Sequence, residues 1–213
     1  MNSEKWIIFD FDGTLVDSLH ITIDVVNKYG HHVVRSFEKI SNEGVRNNGI
    51  RHYFKKFNIR KRYIPLIVLG LQILVIKRYK EVVIKNEVRN VLIRLYESGF
   101  GLAIISSLHR GIIKGCLKNS DSKDFFEFVA SSPSLFSKNK LIEKVLKKNK
   151  INKDNVWYVG DETRDIIACK KVGIPMVAVT NGFESRELLE KAKPDYLIDS
   201  LEELLKVLED VCC

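Results

Sequence analysis

The chain has 213 residues, 45% of them apolar, which is enough for one substantial core and too many for a disordered chain. Its formal net charge is +8, but Lys and Arg are scattered rather than gathered in a stripe. No nucleic-acid partner is therefore expected, and the surplus suits a site that attracts phosphorylated metabolites.

Near the N-terminus, Trp6-Ile7-Ile8-Phe9 is a short continuous apolar run that ends in acids. That pattern predicts a strand buried on both faces of a parallel sheet. The run is too short for a signal peptide, so no leader is expected. From about residue 16 to 85 the patterns are helical, with no convincing buried strand. Leu19 to Tyr29, Ile50 to Phe57 and Tyr63 to Tyr79 read as helices, and Gly30, Gly44 and Gly49 as turns. Ile64 to Ile76 is strongly apolar but holds Pro65, Gly70 and Gln72. It is shorter than the ~17–25 residues of a membrane helix, so it reads as a buried or cap-facing helix and no membrane partner is expected.

Beyond this insert, strands alternate with helices. Glu87 to Ser98 is an amphipathic helix stopped by Gly99, and Leu102 to Ile105 is a strand that runs into Ser106-Ser107. Phe128 to Ala130 is a further strand. Asn139 to Lys148 is a helix, and Val156 to Val159 is a strand before Gly160-Asp161. Thr163 to Val172 is a helix with Gly173 as its stop. Strands at Met176 to Val179 and Tyr196 to Ile198 and a helix at Leu201 to Val211 complete the chain. The alternation implies an α/β fold with a mostly parallel sheet covered on both faces. Ligands bind such sheets beyond the carboxyl ends of the strands. Four cysteines (Cys116, Cys169, Cys212 and Cys213) lack metal-ligand spacing and read as reduced thiols, which suits a cytoplasmic protein.

Several residues at that sheet edge carry chemistry. Asp10 and Asp12 lie two apart just past a strand, where they would point to one side and suit Mg²⁺. An acidic turn that merely caps the strand is the structural alternative. Asp161 follows another strand, and Asp165 falls one helical turn later. Asp161 also suits an N-cap, and Asp165 also suits a first-turn acid favoured by the helix dipole. Ser106 could hold a phosphate or simply cap a helix, and Lys138 could reach a phosphate or sit in solvent.

In their order along the chain these elements resemble the motifs of the haloacid dehalogenase-like superfamily. Asp10-Phe11-Asp12-Gly13-Thr14-Leu15-Val16-Asp17-Ser18 resembles the first motif and Ile104-Ile105-Ser106-Ser107 the second. Ser137-Lys138-Asn139-Lys140 resembles the third, and Gly160-Asp161-Glu162-Thr163-Arg164-Asp165 the fourth. Val177 to Phe183 and Pro194 to Ile198 fit the phosphoglycolate phosphatase-like branch. Two features depart from the pattern: Ser106-Ser107 stands where many members have Thr-Asn, and the apolar insert offers no substrate-reading residue.

The resemblance implies a Rossmann-like core (residues 1–15 and 86–213) with a small helical cap (16–85) inserted after the first strand. It implies a phosphatase acting on a small phosphorylated metabolite, phosphoglycolate among the candidates, through an aspartyl-phosphate. Asp10 would be the nucleophile and Asp12 the general acid and base. Ser106, Ser107 and Lys138 would hold the phosphate. Mg²⁺ would sit on the Asp10 side chain, the Asp12 carbonyl and Asp161, with Asp165 near it. A sugar phosphomutase and an inactive regulatory or binding module on the same fold are the alternatives. A dehalogenase does not call for Asp12, which is present. Oligomeric state is left open.

Overall fold

In the computed structural model, which describes residues 3–132 and 137–212, every apolar run expected as a strand is one. The strands are β1 (Trp6–Phe9), β2 (Gly101–Ser106), β3 (Phe126–Ser131), β4 (Val156–Gly160), β5 (Met176–Val179) and β6 (Tyr196–Ile198). They form one sheet in the order β3-β2-β1-β4-β5-β6, and every neighbouring pair is parallel.

The region between β1 and β2 begins with α1 (Leu19–Val33), α2 (Asn42–Asn48), α3 (Ile50–Lys56) and α4 (Ile64–Val75). Two glycines read as turns lie inside helices instead. Gly30 is within α1, where a Cβ would collide with the Phe37 ring, so glycine serves a close approach rather than a bend. Gly44 is within α2, a helix not expected from the sequence, and its N–H is capped by the Ser41 hydroxyl at 3.0 Å. Gly49 is a turn as expected: its φ of 71° lets it end α2 and start α3.

Helix α4, expected to be buried or cap-facing, is buried on one part of its surface only. Ile64, Gln72 and Val75 are buried, while Leu66, Leu69, Ile73 and Leu74 are exposed. No helix among the described residues is long and apolar enough to cross a membrane.

The remaining helices are α5 (Asn86–Glu97), α6 (Arg110–Asn119), α7 (Lys138–Asn149), α8 (Thr163–Val172), α9 (Arg186–Ala192) and α10 (Leu204–Cys212). Side chains of a strand alternate between sheet faces. Ile7, Phe9, Leu102 and Ile104 face one way and pack with Leu92 of α5, Ile113 of α6 and Leu204 of α10. Ile8, Ala103, Ile105 and Tyr158 face the other way and pack with Ile142 of α7, Ile166 of α8 and Leu189 of α9. Both faces are dry, which is why the strand sequences are apolar without alternation. Helices α6 and α9 were not expected from the sequence. Cys116 and Cys169 are buried free thiols, and Cys213 lies outside the described residues.

β1 is the topological switch point: the chain leaves it toward β2 and β3, then returns to its other side as β4. Phe9 is in register with Ile104 of β2 and Val159 of β4, so the three carboxyl ends are level. Asp10, Ser106 and Asp161 leave these ends within two residues of the last matched position.

Candidate active site

The Asp10 N–H donates to the Val159 carbonyl at 2.8 Å, which extends the ladder one residue beyond β1 and fixes the Asp10 backbone. Its buried carboxylate accepts from the Phe11 N–H at 2.7 Å through Oδ1 and from Lys138 Nζ at 2.6 Å through Oδ2. Arg164 Nη2 lies 3.8 Å from the same Oδ2. Burial pushes the Asp10 carboxyl up, but the Lys138 and Arg164 charges and the Phe11 N–H outweigh it. Asp10 is held below the usual carboxylate range, ionised and backed by two cations.

The expected acids converge only in part. One carboxylate oxygen each from Asp10, Asp161 and Asp165 lies within 4.8 Å of the others. The Thr14 hydroxyl donates to Asp161 Oδ1 and the Phe183 N–H to Asp161 Oδ2, both at 2.7 Å. Gly13, with φ 77°, lets its loop pass so close that a Cβ there would collide with the Asp161 carboxylate. Asp161 does not start helix α8. The N-cap position is Glu162, whose side chain makes no cap bond and pairs with Arg164 at 2.5 Å, while the Thr163 N–H donates to Glu184 Oε2 at 2.6 Å. Asp165 sits in the first turn of α8, fully buried, with Oδ1 2.6 Å from Lys138 Nζ; its Oδ2 has no hydrogen-bond partner among the described residues.

Asp12 is turned elsewhere. β1 ends at Phe9, so the period-two expectation fails at Asp10, and the Asp12 carboxylate diverges from the cluster. Its Oδ1 accepts from the Ser18 hydroxyl at 2.6 Å and from the Tyr79 hydroxyl. Burial pushes Asp12 up to about 6, against those two hydrogen bonds. Ser106 is buried at the end of β2; its Oγ accepts from the Leu108 N–H at 3.1 Å and still has a proton to donate. Ser107 receives Gln72 Nε2 on its carbonyl at 2.6 Å and faces Arg164 with its hydroxyl at 3.4 Å.

The charge balance fits a divalent cation. The carboxylates of Asp10, Asp161, Glu162 and Asp165 surround two buried cations, Lys138 and Arg164, a surplus of two negative charges when all are ionised, and the buried carboxyl of Glu184 lies beside them. Burial pushes Asp165 up to about 7 and Asp161 well above its ordinary range. The surplus, the unpartnered Asp165 oxygen and the all-oxygen donor set suit Mg²⁺.

The family model described as haloacid dehalogenase-like hydrolase matches residues 7–179. The chain belongs to that family. A phosphoglycolate phosphatase of Synechococcus elongatus is 30% identical over 94% of this chain and 95% of its own. A pyrophosphatase of Bacillus mycoides is 22% identical over 96% of this chain and 97% of its own. A solved haloacid dehalogenase-like hydrolase of Streptococcus pneumoniae superposes with a TM-score of 0.78 at 24% identity, over 98% of this chain and all of that one. The expected class, a phosphoric monoester hydrolase of the haloacid dehalogenase-like family, holds.

Five residues of this hydrolase shape the site beyond those expected from the sequence. Arg164 stands inside the fourth motif and is, with Lys138, one of the two buried cations of the site, bonded to Glu162 at 2.5 Å. Its position one turn from Asp161 was a usable signal. Thr14, which orients Asp161, stands in the first motif. Tyr79 and Ser18 hold Asp12, and Glu184 holds the start of α8. Tyr79 and Glu184 gave no local signal, because their partners lie 67 and 21 residues away.

Proposed function

We propose that the protein is a Mg²⁺-dependent phosphatase that hydrolyses a phosphate monoester through an aspartyl-phosphate on Asp10. The observation that carries this is the buried Asp10 carboxylate, held at the end of the central strand by Lys138 at 2.6 Å beside Asp161 and Asp165. Residues 1–15 and 86–213 act as the core and 16–85 as a cap over its edge. Phosphoglycolate, named in the Synechococcus relative, belongs on the first substrate panel.

Asp10 Oδ attacks phosphorus in line, and the bond to the leaving oxygen breaks as the bond to Asp10 forms. Asp12, on the cavity side and raised to about 6, donates its proton to the leaving oxygen. It then takes a proton from the water that cleaves the aspartyl-phosphate, so the enzyme returns unchanged. Lys138, Ser106, Ser107 and the backbone N–H groups around Phe11 and Gly13 hold the non-bridging phosphoryl oxygens. Lys138 also keeps Asp10 ionised and aimed. The side chains of Asp10, Asp161 and Asp165 and the Asp12 carbonyl would hold Mg²⁺, whose charge offsets repulsion between the carboxylate nucleophile and the phosphate dianion.

Asp10→Asn tests the reading. It should lower p-nitrophenyl phosphate hydrolysis by roughly three orders of magnitude or more while leaving the melting curve cooperative. Wild-type turnover in that variant would remove Asp10 as the nucleophile. Exhaustive chelation should abolish activity and added Mg²⁺ restore it.

A further inference from the structure

A cavity of about 870 Å³ opens directly against the acid side of the site. Asp12, Ser107, Glu162 and Arg164 line it where it meets the sheet edge. Its other walls come from the helical insert and are mainly apolar: Val26 of α1, Phe54 of α3, the neighbouring Phe57, and Ile67 and Leu71 of α4, with Phe183 of the core beside them. Two further lining residues, Leu66 and Leu74, are 68% and 40% exposed, so the wall stays apolar out to solvent. Helix α4 carries no charged residue, and its one polar side chain, Gln72, is spent on the Ser107 carbonyl.

We infer that the substrate is a phosphate monoester of a bulky hydrophobic alcohol, with its apolar part in this cavity and its ester oxygen at Asp12. The inference rests on the phosphatase reading and names the substrate class of that same site. Glycolate is too small and too polar for these walls. It would leave them wetted, so their burial would contribute nothing to binding the transition state. Pockets of this volume enclose ligands of drug size and are lined by apolar and aromatic side chains with a few polar groups at one end. Here the polar groups are the ones that face the leaving oxygen. The cavity is continuous with the catalytic edge, so its occupant is the part of the substrate beyond the phosphate. The lining residues His32, Arg35, Ser36, Asn58 and Arg60 of the insert are exposed, so their polar groups reach solvent.

The test is kcat/KM for ethyl, butyl, hexyl and octyl phosphate with the full chain and Mg²⁺, beside phosphoglycolate. Leaving-group basicity is nearly constant along the alkyl series, so any trend reports the cavity. Each fully buried methylene is worth about a fourfold gain, so octyl phosphate, six methylenes longer, should exceed ethyl phosphate by on the order of a thousandfold if all six are buried and by about tenfold or more if only two are. Val26→Trp fills the cavity from α1 and Ile67→Trp fills it from α4; each should collapse the octyl-to-ethyl ratio toward one. The two variants act from different helices, so misfolding of one leaves the other to report. A flat alkyl series, a ratio untouched by either folded variant, or phosphoglycolate as the preferred ester overturns the inference and leaves the phosphatase reading standing. If no ester is hydrolysed, both fall.

Discussion

Lys138 sits 2.6 Å from both Asp10 and Asp165, 7% exposed, with the Tyr158 ring 5.2 Å away. Burial disfavours its charge, but the two carboxylates overcome that and hold it protonated. Removing one partner of such a buried pair strands the other charges. Lys138→Met should therefore cost about 3 kcal/mol of stability without divalent cation. Added Mg²⁺ should then raise the melting temperature of the variant more than that of the wild type, because the ion supplies the missing positive charge. An equal shift in both proteins would show that Lys138 does not offset the acidic cluster. Asp12 offers a second test. Burial pushes its pKa to about 6, and the Ser18 and Tyr79 hydroxyls stabilise its ionised form. Burial also pushes the Tyr79 hydroxyl well above its ordinary range, aided by the Asp12 charge, so it stays a donor at neutral pH. Tyr79→Phe removes one donor and raises Asp12 further. In the proposed reaction Asp12 must be protonated for the aspartyl-phosphate to form, so the alkaline limb of kcat/KM should move to higher pH. A limb that stays in place would argue against Asp12 as the acid. Asp10 and Asp161 were legible because each directly follows a buried apolar run. The orienting partners of Asp161, Thr14 and Phe183, form contacts that no spacing rule reveals.

Among the elements, α8 depends on a residue outside itself. Glu184 accepts the Thr163 N–H at 2.6 Å and the Thr163 hydroxyl at 3.3 Å, the job a side chain at the N-cap normally does. It also lies against Gly49, where a Cβ would press on its Oε1. Burial pushes Glu184 up to about 7 from the ordinary 4.5, assisted by the Glu162 charge. Between those values the folded chain binds a proton that the unfolded chain does not, so this group costs stability as pH rises through that window. Glu184→Gln removes the cost. In Mg²⁺-free buffer the stability difference should shift in favour of the variant by roughly 1–3 kcal/mol between about pH 5 and pH 8. A difference that ignores pH would mean that the carboxyl titrates normally. The insert was the least legible region because glycine was read by its commonest use. Gly30 and Gly44 break a helix only when nothing packs against them or caps them, and Phe37 and Ser41 do so here. Helices α6 and α9 were passed over although α6 buries Ile112, Ile113, Cys116 and Leu117 on one side.

At the scale of the molecule, the parallel sheet was legible from runs that never alternate, since only a two-sided burial calls for them. Strand order was not, because pairings such as Phe9 with Val159 span the chain and leave no local trace. The core on both sides of β1, β2 and β4 contrasts with α3, which buries no residue, and with the exposed side of α4. Amide exchange should accordingly be slowest at Ile7 to Phe9, Leu102 to Ile105 and Val156 to Val159, and fastest across residues 50–80. Equal protection in the two regions would contradict the packing.

The level ends of β1, β2 and β4 also divide what this lineage can change cheaply from what it cannot. Asp10, Ser106 and Asp161 owe their meeting to strand register, so a single inserted residue in any of the three strands would undo it at once. The apolar side chains of α1, α3 and α4 answer to no such register and can be exchanged one at a time. Descendants of this chain can drift from one substrate to another by small steps while the chemistry at the sheet edge stays the same.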